Sequence, residues 1–213
     1  MNPEKMSGYF ITLEGGEGAG KSTQVKCLAA ALAGRNIATV LTREPGGSPG
    51  AEEIRALLVN GAPGRWDALT ETLLVYAARA DHVKRTIGPA LLAGKWVISD
   101  RFADSTYAYQ GAGRGLARET IRRIDSVVLD DFKPDLTLML DLDVETGLKR
   151  ATARGAAESR FENFDRDFHE RLRQAFLDIA RRNPDRCQVI DAMANEDAVA
   201  ASIWSAVARR FDL

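Results

Sequence analysis

The chain has 213 residues, 45% of them hydrophobic, a size that suits one α/β domain with a sizeable core. Its 29 Lys and Arg balance 30 Asp and Glu, which excludes bulk attraction to nucleic acid or to an anionic membrane, so a polyanion has to be met locally. Cys27 and Cys187 lie far apart without metal-ligand spacing, as expected of reduced core thiols in a cytoplasmic protein, and no apolar run reaches the roughly 18 residues a membrane span needs.

The first apolar run predicts a strand over Phe10 to Glu14, and a helix is expected over Ser22 to Ala33. Between them, Gly15-Gly16-Glu17-Gly18-Ala19-Gly20-Lys21-Ser22 satisfies G-x-x-x-x-G-K-[ST], with Thr23 following. Glycines let successive backbone N–H groups turn toward a polyphosphate, and the helix start adds its positive dipole end. Lys21 contributes a charge, and the Ser22 hydroxyl is placed to hold Mg²⁺. The chain is therefore expected to bind a nucleoside triphosphate.

A second strand, Thr39 to Thr42, runs into Arg43-Glu44-Pro45-Gly46-Gly47, where glycines permit close backbone approach, Pro45 fixes a turn and Arg43 offers a charge to an anion. Helices follow over Ala51 to Asn60 and Thr70 to Ala93. In the second, Val75 and Arg79 stand one turn apart, so the Arg is either part of a pocket wall or a snorkelling side chain. The strand Trp96 to Ser99 delivers Asp100-Arg101-Phe102 to a sheet edge. There a carboxylate can order Mg²⁺ waters and a guanidinium can fork onto phosphate, a surface ion pair being the alternative. The run from Asp104 to Gln110 offers hydroxyls, the Tyr109 ring and the Gln110 amide, chemistry suited to a base and sugar, before a glycine cluster over Gly111 to Gly115.

A helix over Ala117 to Val128 and a strand over Leu136 to Leu142 come next. Asp141 and Asp143 are open to two readings, a second metal carboxylate or caps for the helix Val144 to Ala153. From Lys149 to Arg160, cations surround small residues, which describes either a flap closing on transferring phosphates or a solvated loop. A helix over Phe164 to Arg182, a strand over Gln188 to Ile190 and a helix over Asn195 to Phe211 complete the chain. In the last, Val199, Ile203, Val207 and Phe211 form a core-facing stripe. Strands alternating with helices imply a five-stranded parallel sheet flanked by helices, with ligands at the carboxyl ends of the strands.

Gly15 to Thr23, Arg43-Glu44-Pro45-Gly46-Gly47, Asp100-Arg101-Phe102, Tyr109-Gln110 and the Arg-rich flap together closely resemble thymidylate kinase of the bacterial type, over nearly the whole chain and in the same order. The resemblance implies a P-loop NTPase-like α/β fold of the nucleoside monophosphate kinase type, one domain over 1–213 with a mobile lid at about 150–162, and a homodimer. It also implies transfer of the γ-phosphoryl of ATP to dTMP with Mg²⁺. By resemblance Lys21 steadies the β and γ phosphates, Glu17 faces the deoxyribose 3′-OH, and Asp100 stands at the phosphates and metal with Ser22. Arg101 grips the acceptor phosphate and Arg79 the thymine carbonyl. Thr106 addresses the base and Tyr109 crowds out a 2′-OH, with Glu44, Pro45 and Gln110 completing the substrate side.

Members of that family carry the catalytic Arg in the phosphate loop or in the lid. Here the loop position is Gly18, so the resemblance assigns the role to the lid, to Arg154 first and Arg160 second, with Arg150 beside them at the nucleotide. One departure is Val75, where the family commonly places a Phe to stack on thymine, and Tyr76 or another aromatic is then a candidate to substitute. The rival readings are a kinase for dUMP, dCMP or a deoxynucleoside, a P-loop switch, and a nucleic-acid-stimulated ATPase. Against the last two stand the lack of an N-K-x-D element and of a basic stripe.

Overall fold

Phe10–Gly15 is buried at all six positions and forms β1, the middle strand of a five-stranded parallel sheet. The computed structural model describes residues 7–62, 64–153, 161 and 164–213. After β1 come α1 (Lys21–Ala33), β2 (Thr39–Arg43), α2 (Pro49–Val59), α3 (Ala68–His82) and α4 (Gly88–Leu92). Then follow β3 (Trp96–Asp100), α5 (Ala103–Thr106), α6 (Arg118–Val128), β4 (Leu136–Asp141), α7 (Val144–Ala153), α8 (Arg166–Arg182), β5 (Cys187–Asp191) and α9 (Glu196–Phe211).

The strand order is β2-β3-β1-β4-β5, with every pairing parallel. All five carboxyl ends therefore emerge at one edge, and the register sets Asp100 opposite both Leu13 and Arg43. Alternation along β1 splits its side chains. Ile11 and Leu13 join Val25, Leu28, Ile98, Leu138, Val199, Ile203 and Val207 in the core under α1 and α9. Phe10 meets Val97, Phe102, Ile87 and Leu91 on the opposite face. Each such fully buried side chain contributes about 1.5–3 kcal/mol. The α9 stripe is structural as expected, with Phe211 packed at its end. Asp67, Asp165 and Asn195 cap α3, α8 and α9 by accepting backbone N–H groups.

Two expectations need correction, the long helix and the core thiols. The long helix over Thr70 to Ala93 is α3 and α4 joined by a π turn, Val83–Ile87. Pro89 lacks an N–H and its ring would strike the carbonyl one turn back, which the wider turn relieves. Gly111 to Gly113 belong to a π-helical segment, Tyr107–Gly113, that continues α5, so they are not in a connecting loop. Cys27 and Cys187 are half-buried rather than core thiols. β2 and β5 are edge strands with exposed Leu41 and Val189, while β1 carries buried polar groups, Thr12 and Glu14, on its α5-facing side.

Candidate active site

The turn after β1 passes through left-handed Gly18 and Gly20 into α1, at φ of 70° and 87°. A Cβ on Gly18 would lie 2.0 Å from the Gly147 carbonyl oxygen on α7, and one on Gly147 would lie 2.5 Å from the Glu17 carbonyl oxygen. Loop and helix are in backbone-to-backbone contact here. Lys21 Nζ donates to the carbonyls of Gly15 and Gly16 at 3.2 and 2.8 Å, holding its ammonium over the loop. Burial and the charge of Arg101 push Lys21 down to about 8 against the pull of Asp100, Glu17 and Glu14. Ser22 Oγ donates to Asp100 Oδ2 at 2.6 Å.

Arg101, with a left-handed φ of 73°, turns back across the loop from the end of β3. Its Nη1 donates to the Gly15 carbonyl at 2.9 Å and its Nη2 to Glu17 Oε1 at 3.2 Å, while the guanidinium covers the Tyr109 ring. Tyr109 donates its hydroxyl to the same Glu17 oxygen at 2.6 Å. Burial pushes Glu17 up, but Arg101, Lys21 and the Tyr109 hydroxyl outweigh it and bring the carboxyl to about 2. Beneath the loop, Glu14 accepts from the Phe102 N–H at 2.7 Å and from Ser105 Oγ at 2.6 Å, tying β1 to the segment that carries Arg101. Burial and the neighbouring Asp104 push Glu14 up to about 7.

Opposite the loop, Glu44 and Pro45, joined by a cis peptide bond, meet α3. Arg79 is buried, and its Nε, Nη1 and Nη2 donate to Glu44 Oε2, Thr106 Oγ1 and the Phe102 carbonyl at 2.7, 3.0 and 3.0 Å. A guanidinium has five N–H groups, so two remain beyond these three bonds. Gln110 reaches the same wall from the π-helical segment, with Nε2 donating to Glu71.

These two sides enclose one cavity of about 370 Å³, within the range of small-molecule sites. It gathers Glu17, Gly18, Ala19, Gly20, Lys21 and Ser22 with Glu44, Pro45, Val75, Arg79, Asp100, Arg101, Thr106, Tyr109 and Gln110. Gly15 and Gly16 contribute carbonyls to Lys21 rather than cavity wall. Thr23 is exposed on the first turn of α1, and Arg150 lies apart, with Nη1 donating to the Ala192 carbonyl at 3.2 Å. Arg154 and Arg160 lie outside the described residues. Asp141 is held by Arg173 at 2.7 and 3.0 Å, and Asp143 caps α7 by accepting the Thr146 N–H, the arrangement the capping reading describes.

Tyr76 does not take the place of a stacking aromatic. Its ring is buried behind Arg79, with the hydroxyl donated to Asp125 at 2.7 Å. Phe161 reaches the cavity alongside Phe102 and Tyr109, edge-on to Tyr109 at 5.4 Å between centroids. Sequence reasoning also missed Arg55, Leu58 and Val59 of α2. A cationic side chain one turn before Val59 on a mostly apolar helix was the available signal for Arg55. Its Nη1 donates to the Pro45 carbonyl at 2.6 Å. Ser22 and Asp100 offer hard oxygens side by side at the head of α1, which fits Mg²⁺ held together with phosphate and water oxygens. No group of three or more His, Cys, Asp or Glu able to hold a metal ion occurs among the described residues.

A thymidylate kinase family model matches residues 13–203. The thymidylate kinase of Caulobacter vibrioides is 57% identical over 206 residues, covering 97% of this chain and 99% of that protein. That of a Bradyrhizobium species is 53% identical, covering 95% and 91%. Among solved structures, thymidylate kinase from Ehrlichia chaffeensis superposes with a TM-score of 0.75 at 36% identity, covering 94% of this chain and 98% of the other.

Proposed function

We infer how this cavity works from the premise that the chain belongs to the thymidylate kinase family and transfers the γ-phosphoryl of ATP to dTMP, giving dTDP and ADP. The observation that carries the reading is that one cavity is walled on one side by a phosphate loop and on the other by Arg79, Thr106 and Gln110. Donor and acceptor can thus meet in line without leaving the protein.

The loop N–H groups and Lys21 take the β and γ phosphates of ATP. Ser22 and Asp100 would hold Mg²⁺, which would screen the phosphate charge. Arg101 stands between Glu17 and the loop and takes the acceptor phosphate. Glu17, kept ionised, accepts from the deoxyribose 3′-OH, and Tyr109, anchored through Glu17, closes the space at C2′. The two uncommitted N–H groups of Arg79 suit the thymine O4, while Val75 and Phe161 supply apolar walls. The acceptor phosphate is already an anionic nucleophile, so no general base is required; alignment and charge neutralisation carry the step.

The transition-state guanidinium is assigned to the lid, Arg154 first and Arg160 second. Supporting this, the loop conformation has no room for a side chain at Gly18. The lid at about 150–162 and the single domain over 1–213 belong to the same proposal, as does a homodimer. Support for the dimer is an apolar stripe on α3, where Leu69 and Leu73 are 44% and 51% exposed, with Leu57 of α2 also exposed at 39%. No described helix is long and apolar enough to cross a membrane. ADP formation measured without acceptor and with dTMP, dUMP, dCMP or thymidine tests the assignment. Fast turnover with dTMP supports it, and acceptor-independent turnover overturns it.

A further inference from the structure

The amide of Gln110 sits between the cavity and a buried acid. Its Nε2 donates to Glu71 Oε1 at 2.8 Å, and Glu71 is fully buried, with its other oxygen 2.8 Å from Arg114 Nη1. Arg114 is itself anchored, because Nη2 donates to the Trp66 carbonyl at 2.6 Å. A carboxylate paired with a guanidinium accepts and never donates. The Gln110 nitrogen must therefore face Glu71, leaving the carbonyl oxygen as the end available to the cavity that Gln110 lines.

We propose that Glu71, ion-paired with Arg114, is a positioning residue that sets pyrimidine specificity by fixing which end of the Gln110 amide meets the base. The proposal rests on the reading that the base enters among Arg79, Thr106 and Gln110. Thymine presents the O4 acceptor beside an N3–H donor, whereas cytosine presents an amino donor beside a bare N3 acceptor. Guanidinium donors at Arg79 and a carbonyl acceptor at Gln110 match thymine and set like against like with cytosine. Turning the amide over would invert the Gln110 half of this pattern at almost no steric cost, since its oxygen and NH₂ are nearly the same size. The demand of Glu71 for a donor is what prevents it.

Glu71→Gln separates this from a merely structural role. Arg114 still requires an acceptor, so the introduced amide turns its oxygen to Arg114 and its NH₂ to Gln110. Gln110 must then give that group its own oxygen and present Nε2 to the cavity. The ratio of kcat/KM for dTMP over dCMP is expected to fall at least tenfold, and this ratio does not depend on the fraction of enzyme folded. Gln110→Leu, measured in parallel, tests the underlying pocket reading and should lower the same ratio. A wild-type ratio in Glu71→Gln beside a lowered ratio in Gln110→Leu overturns the clamp and leaves the pocket reading intact; wild-type ratios in both overturn both. Should Glu71→Gln fail to fold, the paired substitution Glu71→Met with Arg114→Leu removes the buried charges together and frees the amide to either orientation. It too should lower the ratio, and a wild-type value there overturns the proposal.

Discussion

Arg79 donates through Nε to Glu44 at 2.7 Å with the two side chains 1% and 4% exposed, so an ion pair between α3 and the turn after β2 is sealed into the cavity wall. His82 completes it, with Nδ1 2.9 Å from the other Glu44 oxygen and Nε2 2.6 Å from Thr42 Oγ1. Glu44→Gln leaves a buried guanidinium uncompensated and should cost about 3–5 kcal/mol in urea unfolding. The KM for dTMP should rise with it. A loss under about 1 kcal/mol with unchanged KM would remove the pair from the pocket wall.

Glu14 predicts a pH-dependent stability. Its carboxyl is raised to about 7 in the fold from 4.5, by burial and Asp104 against Ser105, Arg101 and the Phe102 N–H. The fold therefore holds a proton that the unfolded chain releases between these values. Stability contributed by protonated Glu14 is full below pH 4.5 and lost as pH rises through 7, by about 3 kcal/mol at most. Glu14→Gln mimics the protonated form. The difference in unfolding free energy between the two proteins should favour the variant progressively from pH 5 to 8 on the order of that amount, and parallel pH profiles would discard the assignment.

Much of this arrangement was legible in the sequence, for identifiable reasons. The five strands announce themselves as short apolar runs, and the phosphate loop and Asp100-Arg101 are local motifs whose geometry follows from neighbouring residues. Strand order was not legible, because pairing between distant positions, as between Ile11 and Leu136, leaves no local trace. The Glu44–Arg79–His82 and Gln110–Glu71–Arg114 networks stayed hidden for the same reason. Each joins side chains whose partners lie tens of positions away, and each looks, residue by residue, like ordinary helix or turn chemistry. The π turn before Pro89 depends on how a helix absorbs a missing donor, which periodicity does not record.

Arg154→Ala should lower turnover by ~10³ or more while leaving dTMP affinity nearly intact, since the guanidinium is needed mainly as charge moves in the transition state. Single-turnover kinetics and dTMP binding read the two effects separately. Unchanged turnover transfers the role to Arg160 or Arg150.

Leu73→Asp puts a charge into the exposed α3 stripe without touching the cavity lining. Sedimentation should show wild-type dimers and variant monomers at the same concentration. Monomeric wild-type protein would rule out the α3 interface.

The mutual approach of Gly18 and Gly147 ties any change at position 18 to the placement of the α7 backbone. An arginine cannot simply be placed at position 18 of this scaffold, because its first carbon would occupy the space of the α7 backbone. A side chain there requires α7 to be displaced at the same time. A designer, or a lineage under selection, would have to cross that gap with both alterations in hand.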